Sequence, residues 1–304
     1  MQTLARLAAL ACLFVATTTH AQTLTIGDQR GNARAVMEAA GTLEGAPYTI
    51  EWREFPNAAP LLEALRAGYL DAGPVGDAPL TFAAAAGLQA KAIQASRYLG
   101  NALIVNGHSA VQSVADLKGQ KIAAVKGSSG HALALTALLR AGLQPSDVTF
   151  VNTTPAEATL ALANGSVAAV ATWEPYVSFA VKQSGVRILA DGKDYPSFNY
   201  LVAADSALAS KGAPLKDFAQ RLAKARAWGA SHPEAYAHTL AELLKLPQDV
   251  ALAKVQREVN GPVTDVQQVL ALQQSTIDLY QQQGLIPAGF PASQVIDAQA
   301  FGGR

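Results

Sequence analysis

The sequence predicts an α/β protein built as two similar lobes around a ligand cleft, and three observations predict it. Short apolar strands alternate with amphipathic helices through residues 22–202, the pattern of parallel sheets joined by helical crossovers. That alternation runs twice, each time in the order strand, helix, strand, helix, strand. Beyond residue 202 the pattern changes to long amphipathic helices whose polar faces are rich in Gln, Lys and Glu.

The chain opens on MQTLARLAALACLFVATTTHA, read as a secretory leader over residues 1–21. Arg6 supplies the basic start, residues 7–16 the apolar run, and Thr19-His20-Ala21 the small residues of a cleavage site. The run is shorter than the ~20 residues that span a bilayer. Cleavage after Ala21 also removes Cys12, the single cysteine, so the mature chain carries no thiol, disulfide or cysteine metal ligand. An exported chain of this kind belongs in a periplasm. Without Arg6 it has 22 basic against 23 acidic residues, and it lacks the basic footprint of a nucleic-acid-binding protein.

The first pass begins with LTIGDQRGNARAVMEAAG, a strand, a turn and a helix closing near Gly41. YTIEWREF alternates as a half-buried strand, and PLLEALRAGY places Leu61, Leu62 and Leu65 on one helix face before Gly68. LDAGPVG is a third strand, entering the turn Gly76-Asp77-Ala78-Pro79. The second pass reads KIAAVKGSSG, HALALTALLRAGL, DVTFVNT, AEATLALANGS and VAAVATWEPY. Gly68 then matches Gly165 and Asp77 matches Glu174, both at an offset of 97, while Gln29 aligns with Ser128 at 99. In the helical tail Trp228 and Tyr236 read as packing residues and His232, before Pro233, as a helix cap; the tail is expected to provide cover and no chemistry.

Function is expected at turns where strands end and helices begin. In Gly127-Ser128-Ser129-Gly130 the helix start leaves N–H groups without partners and carries roughly half a positive charge. Serine hydroxyls add donors, and glycine lets the backbone curl around an oxyanion. A site made only of donors suits a fully ionised sulfonate or sulfate. Simple N-capping by Ser128 or Ser129 would leave the same trace in the sequence. His131 could add a donor from the first helical turn. The facing turn offers Gln29 and Arg30. Asp77 and Glu174 would repel an anion unless they cap backbone N–H groups or receive a cationic or hydroxyl part of the ligand. Trp173 and Tyr176 could stack on a ligand tail or pack in the core.

Catalysis and metal binding find no support in these patterns. Ser129 and His131 stand two apart at a helix start, where side chains diverge, and the histidines show no metal-ligand spacing. No cofactor is expected.

Four stretches carry a family likeness: IGDQRG, EFPNAAPLLEALRAGYLDAGPVGDAP, SVADLKGQKIAAVKGSSGHALAL and WEPY. Through them the chain resembles the periplasmic substrate-binding proteins of sulfonate, taurine and nitrate ABC importers, most closely the aliphatic-sulfonate-binding branch. The resemblance implies a type II periplasmic-binding-protein fold that closes on its ligand by a hinge. It implies a cleft containing Gln29, Asp77, Ser128, Ser129, Trp173 and Glu174, and a monomer that delivers a small organosulfonate to an inner-membrane ABC permease without turning it over. Binding of taurine, nitrate or another small molecule on the same fold is the alternative, as is a desulfinase-like enzyme. Asp28 stands where the family commonly has Tyr, and Glu174 where it commonly has Asp, which leaves the particular ligand open. Residues 22–104 and 203–304 are expected to form lobe 1 and residues 105–202 lobe 2, with crossings near 103–106 and 198–202.

Overall fold

The computed structural model describes residues 21–29, 31–258 and 261–301. Arg30 and the expected leader, Ala21 apart, lie outside the described residues.

The first pass forms as β1 (Gln22–Gln29), α1 (Ala33–Ala39), β2 (Tyr48–Phe55), α2 (Ala58–Arg66), β3 (Ala72–Gly76) and α3 (Asp77–Ala85). The Leu61, Leu62 and Leu65 stripe of α2 is buried, and Gly68 takes the left-handed conformation that ends the helix. β4 (Ala90–Tyr98) and β5 (Ala102–Asn106) come next. The second pass is β6 (Lys121–Ala124), α4 (Ser129–Arg140), β7 (Thr149–Asn152), α5 (Pro155–Ala163), β8 (Ala169–Thr172) and α6 (Tyr176–Gln183). β9 (Val186–Asp191) and β10 (Ser197–Ala204) precede the tail, which comprises α7 (Asp205–Ser231), α8 (Pro233–Leu244), α9 (Gln248–Glu258), β11 (Pro262–Val263), α10 (Val266–Gln282) and α11 (Ala298–Phe301). Trp228 and Tyr236 pack in or against the core, and His232 takes the N-cap position of α8 without a side-chain cap hydrogen bond, its Nδ1 lying 3.0 Å from the Trp228 carbonyl.

Two sheets result, ordered β11-β4-β10-β3-β1-β2 and β7-β6-β8-β5-β9. The internal repeat is visible in this order. β2, β1 and β3 are parallel neighbours, as are β7, β6 and β8. Each triplet is then extended by an antiparallel strand, β10 beside β3 and β5 beside β8. Two βαβαβ units of one design therefore present the carboxyl ends of their parallel strands as ligand-facing edges.

The chain passes between the sheets at residues 99–101 and returns at 192–196. The crossings expected at 103–106 and 198–202 are strand interiors, so divisions after residues 104 and 202 cut through β5 and β10. Those apolar runs read as connectors because strands covered on both faces lose the alternation that marks a half-buried strand. The two true crossings lie against one another. Gly192 N–H donates to the Asn101 carbonyl at 3.0 Å, and a Cβ on Gly192 would run into the Leu99 backbone. A Cβ on Gly100 would meet the Tyr98 ring and stand 3.0 Å from Glu174 Cγ. Glycine is required at both places by close approach.

A large apolar core joins the first sheet to α1, α2, α7 and α8, with Leu24, Tyr200 and Phe218 fully buried. The second sheet packs α4 on one face and α5 with α6 on the other. A further cluster, containing Ala78, Leu135, Ile277 and Tyr280, ties α3 to α4 and α10 along one side of the gap between the sheets. Among the described residues no helix is long and apolar enough to cross a membrane.

Candidate ligand-binding cleft

The gap between the sheets holds a cavity of about 570 Å³. From the first sheet come Gln29 at the end of β1 and Asn32 beyond it, Asn57 after β2 and Gly76 at the end of β3. From the second come Lys126, Gly127, Ser128 and Ser129 after β6, and Trp173, Glu174 and Tyr176 after β8. The two glycine-bearing corners therefore share one crevice. They lie close: a Cβ built on Gly76 would stand 3.5 Å from the Ser129 hydroxyl.

Five helices begin around this cavity, and their caps separate them into two kinds. α1 begins under the buried carboxylate of Asp28, which accepts from the N–H groups of Ala33 at 3.0 Å and Arg34 at 3.2 Å. α3 begins with Asp77, whose Oδ1 accepts from Ala78 N at 2.8 Å. In α6 the Glu174 carboxylate accepts from Ser178 N at 3.1 Å and Ser178 Oγ at 3.0 Å. These three helix starts are already occupied by a carboxyl group of the chain itself. Those of α2 and α4 are not. Asn57 caps α2 by accepting from Ala59 N, Ser128 caps α4 by accepting from His131 N at 3.1 Å, and neither first turn contains an acid. The cavity is thus flanked, from opposite sheets, by two helix ends whose dipoles are answered only by neutral caps. Lys126 adds a cation at the α4 end.

Much of the remaining wall is apolar, with Phe55, Leu62, Phe82, Ala86, Leu244 and Leu246 lining it. A donor-rich end and an apolar remainder fit a small organic anion with an uncharged tail.

The model of the NMT1-like family matches residues 8–245. The chain belongs to the NMT1-like family. It is 35% identical over 291 residues to an aliphatic sulfonates-binding protein of Escherichia coli (strain K12), covering 93% of this chain and 91% of that one. It is also similar to the crystal structure of the periplasmic aliphatic sulphonate binding protein SsuA from Escherichia coli, with a TM-score of 0.82 and 34% identity over 91% of this chain and 92% of that chain. The alkanesulfonate-binding protein SsuA from Xanthomonas axonopodis pv. citri, bound to MOPS, matches with a TM-score of 0.81 and 30% identity, over 90% and 97% of the two chains. These relatives are binding proteins, and their similarity runs through nine-tenths of this NMT1-like chain.

Of the residues expected at the site, Gln29, Ser128, Ser129, Trp173 and Glu174 line the cavity. Gln29 Nε2 is also tied to the Pro74 carbonyl at 2.9 Å, which fixes its direction. Asp77 and His131 are placed elsewhere. Asp77 is turned inward, where Oδ2 accepts from Phe198 N at 3.4 Å, and burial pushes its pKa up to about 6. His131 lies beneath the corner: its Nδ1 accepts from Gly127 N at 3.3 Å and its ring meets Phe150 edge-on. Burial, with Lys126 nearby, drives its pKa down to about 4. It shapes the turn from behind as a neutral acceptor.

Sequence reading missed the part of the cleft built by the tail. Leu244 reaches it from the end of α8 and Leu246 from the turn before α9, and Leu244 packs against Gly31 so closely that a Cβ there would stand 2.7 Å away. Lys254 and Glu258 of α9 also line it, joined to each other at 2.7 Å. Arg226 of α7 is buried behind Asn32, donating to Asn32 Oδ1 at 3.3 Å and Ser96 Oγ at 2.6 Å. The available signal was charged residues inside otherwise apolar helix faces, as with Lys254 between Val250 and Val255.

Proposed function

We propose that this protein captures a small organosulfonate in the cavity between its two sheets and delivers it to an ABC permease from the periplasm. The observation that carries the reading is the pair of neutrally capped helix ends, α2 and α4, facing one crevice. A sulfonate spreads one charge over three oxygens, accepts hydrogen bonds and offers no proton. Helix N–H groups, the Ser129 hydroxyl and Lys126 match that chemistry, and the apolar wall takes the tail. The names of the relatives support the same ligand class. In this reading Gln29, Ser129 and Trp173 contact ligand, whereas Ser128 works as a cap and Glu174 as an internal anion.

In this reading the leader directs export and is then cleaved after Ala21, and the mature protein acts as a monomer. The units around the two sheets are lobes that close about the crossings at 99–101 and 192–196. A desulfinase-like activity would need a cysteine nucleophile, and the sequence has only Cys12, within the leader.

Calorimetric titration of protein starting at Gln22 with ethanesulfonate, taurine, sulfate and nitrate tests the reading. Saturable binding is expected to be tightest for ethanesulfonate, because sulfate and nitrate have no tail and the ammonium of taurine would find the cavity's carboxylates already paired with Arg66, Lys254 and Arg257. Ethanesulfonate should be recovered unchanged after prolonged incubation. Failure of all four to bind, or tighter binding of sulfate than of ethanesulfonate, would overturn it.

A further inference from the structure

Three carboxylates line a cavity that is shaped for an anion: Glu63, Glu174 and Glu258. Two are answered within their own helix, Glu63 by Arg66 at 2.6 Å and Glu258 by Lys254 at 2.7 Å. Glu174 is answered from much further away. Its Oε1 accepts from Nε of Arg257 at 2.7 Å, across 83 positions of sequence. Arg257 belongs to α9 in the helical tail, whereas Glu174 follows β8 of the second sheet. The same guanidinium lies 3.6 Å from Asp191 of β9 through Nη1.

The location of this pair gives it consequence. Glu174 has a fully buried side chain, and its backbone N–H donates to the Tyr98 hydroxyl at 3.3 Å, beside the first crossing. α9 is fixed to that crossing as well, since the Glu258 carbonyl accepts from Leu99 N at 3.1 Å. The charged and titratable groups around Glu174 are Arg257, Glu258 and Lys254 from α9, Tyr98 from β4 and, through Arg257, Asp191 from β9. Lys254 is committed to Glu258. An anion entering the cavity would otherwise share a low-dielectric space with an unanswered carboxylate, and like charges there are costly.

We propose that Arg257 is a positioning residue for anion capture: by holding the Glu174 carboxylate in an ion pair and away from the ligand, it makes the cavity acceptable to a sulfonate. This rests on the anion-binding reading above. It assigns the tail helix a part in ligand affinity without direct contact. Burial, followed by the nearness of Glu258, raises the Glu174 pKa against the downward pull of Arg257, so loss of the arginine favours protonation further.

The experiment is calorimetry with ethanesulfonate from pH 5 to pH 8 on the wild type, R257Q, R257K, E174Q and the E174Q/R257Q double variant, each with a thermal melt. At pH 8, R257Q should bind about 30- to 100-fold more weakly than wild type, in line with the cost of like charges in a shared site. Its binding should recover toward pH 5 as Glu174 takes a proton. The double variant should return to within about threefold of wild type at every pH, because removing the carboxylate removes the need for its partner. R257K and E174Q should both stay within about fivefold of wild type. A double variant as weak as R257Q, with a flat pH profile, would show that Arg257 serves structure alone and overturn the proposal. Should R257Q fail to fold, E174Q decides: a loss beyond tenfold would make Glu174 a ligand contact and overturn it equally. No binding by the wild type would remove the anion-binding reading and this proposal with it; wild-type binding that R257Q leaves unchanged would remove this proposal only.

Discussion

Replacing Ser129 with Asp should abolish sulfonate capture while leaving the protein slightly more stable. α1, α3 and α6 each begin against a carboxylate of the chain, from Asp28, Asp77 and Glu174. Ser129→Asp would turn α4 into a helix of that kind. An acid in the first turn of a helix stabilises it by about 0.3–1 kcal/mol through the dipole and the free N–H groups. The same charge would occupy the place reserved for the ligand's oxygens. Like-charge juxtaposition in a closed cleft costs several kcal/mol, so affinity for ethanesulfonate should fall by about 100- to 1,000-fold. Calorimetry reads the affinity and urea unfolding the stability. Opposite signs of the two effects are the diagnostic result. Affinity within threefold of wild type would place the anion away from α4.

The second large effect concerns acid stability and His131. Folded, the ring is buried and neutral, with Nδ1 accepting from Gly127 and a pKa near 4. Unfolded, it protonates at about 6.5. The unfolded chain therefore binds the extra proton between these values. The histidine's contribution is complete above pH 6.5 and is lost as the pH falls toward 4, about 2–3 kcal/mol in all. Asp28 and Asp77 work in the other direction. Burial lifts their pKa values to about 7 and about 6, so the folded protein retains protons that the unfolded chain releases. Their contribution declines as the pH rises from about 4 through those values. His131→Gln removes only the first trend. The stability difference between wild type and H131Q, from urea midpoints at pH 4.5 and pH 7.5, should grow by about 2–3 kcal/mol toward pH 7.5. A difference that stays constant with pH would mean that His131 titrates normally in the folded state.

Much of the cleft was legible because it is local. Gln29, Gly127 to Ser129, and Trp173 with Glu174 all occupy short turns at strand ends, where a few adjacent residues determine both the conformation and the direction of the side chains. The doubled βαβαβ pattern was legible for the same reason. His131 shows where local reading needed one step more: it stands four residues before Leu135 and seven before Leu138, on the stripe that α4 buries, so it faces the core. Leu244, Lys254, Arg226 and Arg257 were hidden by distance. Their helices have ordinary amphipathic periods, and only tertiary packing of the tail brings Leu244 and Lys254 to the cavity and sets Arg226 and Arg257 behind Asn32 and Glu174. The crossings were misplaced because β5 and β10, each covered on both faces, are largely apolar without the alternation of a half-buried strand, and so resemble connectors as much as strands.

The account depends most on an anion seated between the starting turns of α2 and α4. Titrating ¹⁵N-labelled protein with ethanesulfonate and following its backbone amides tests this directly. The largest shifts are predicted at Ser129, Gly130 and Ala58, saturating at the calorimetric affinity. Saturable binding that leaves those three amides unmoved, with shifts gathered at another surface, would contradict it.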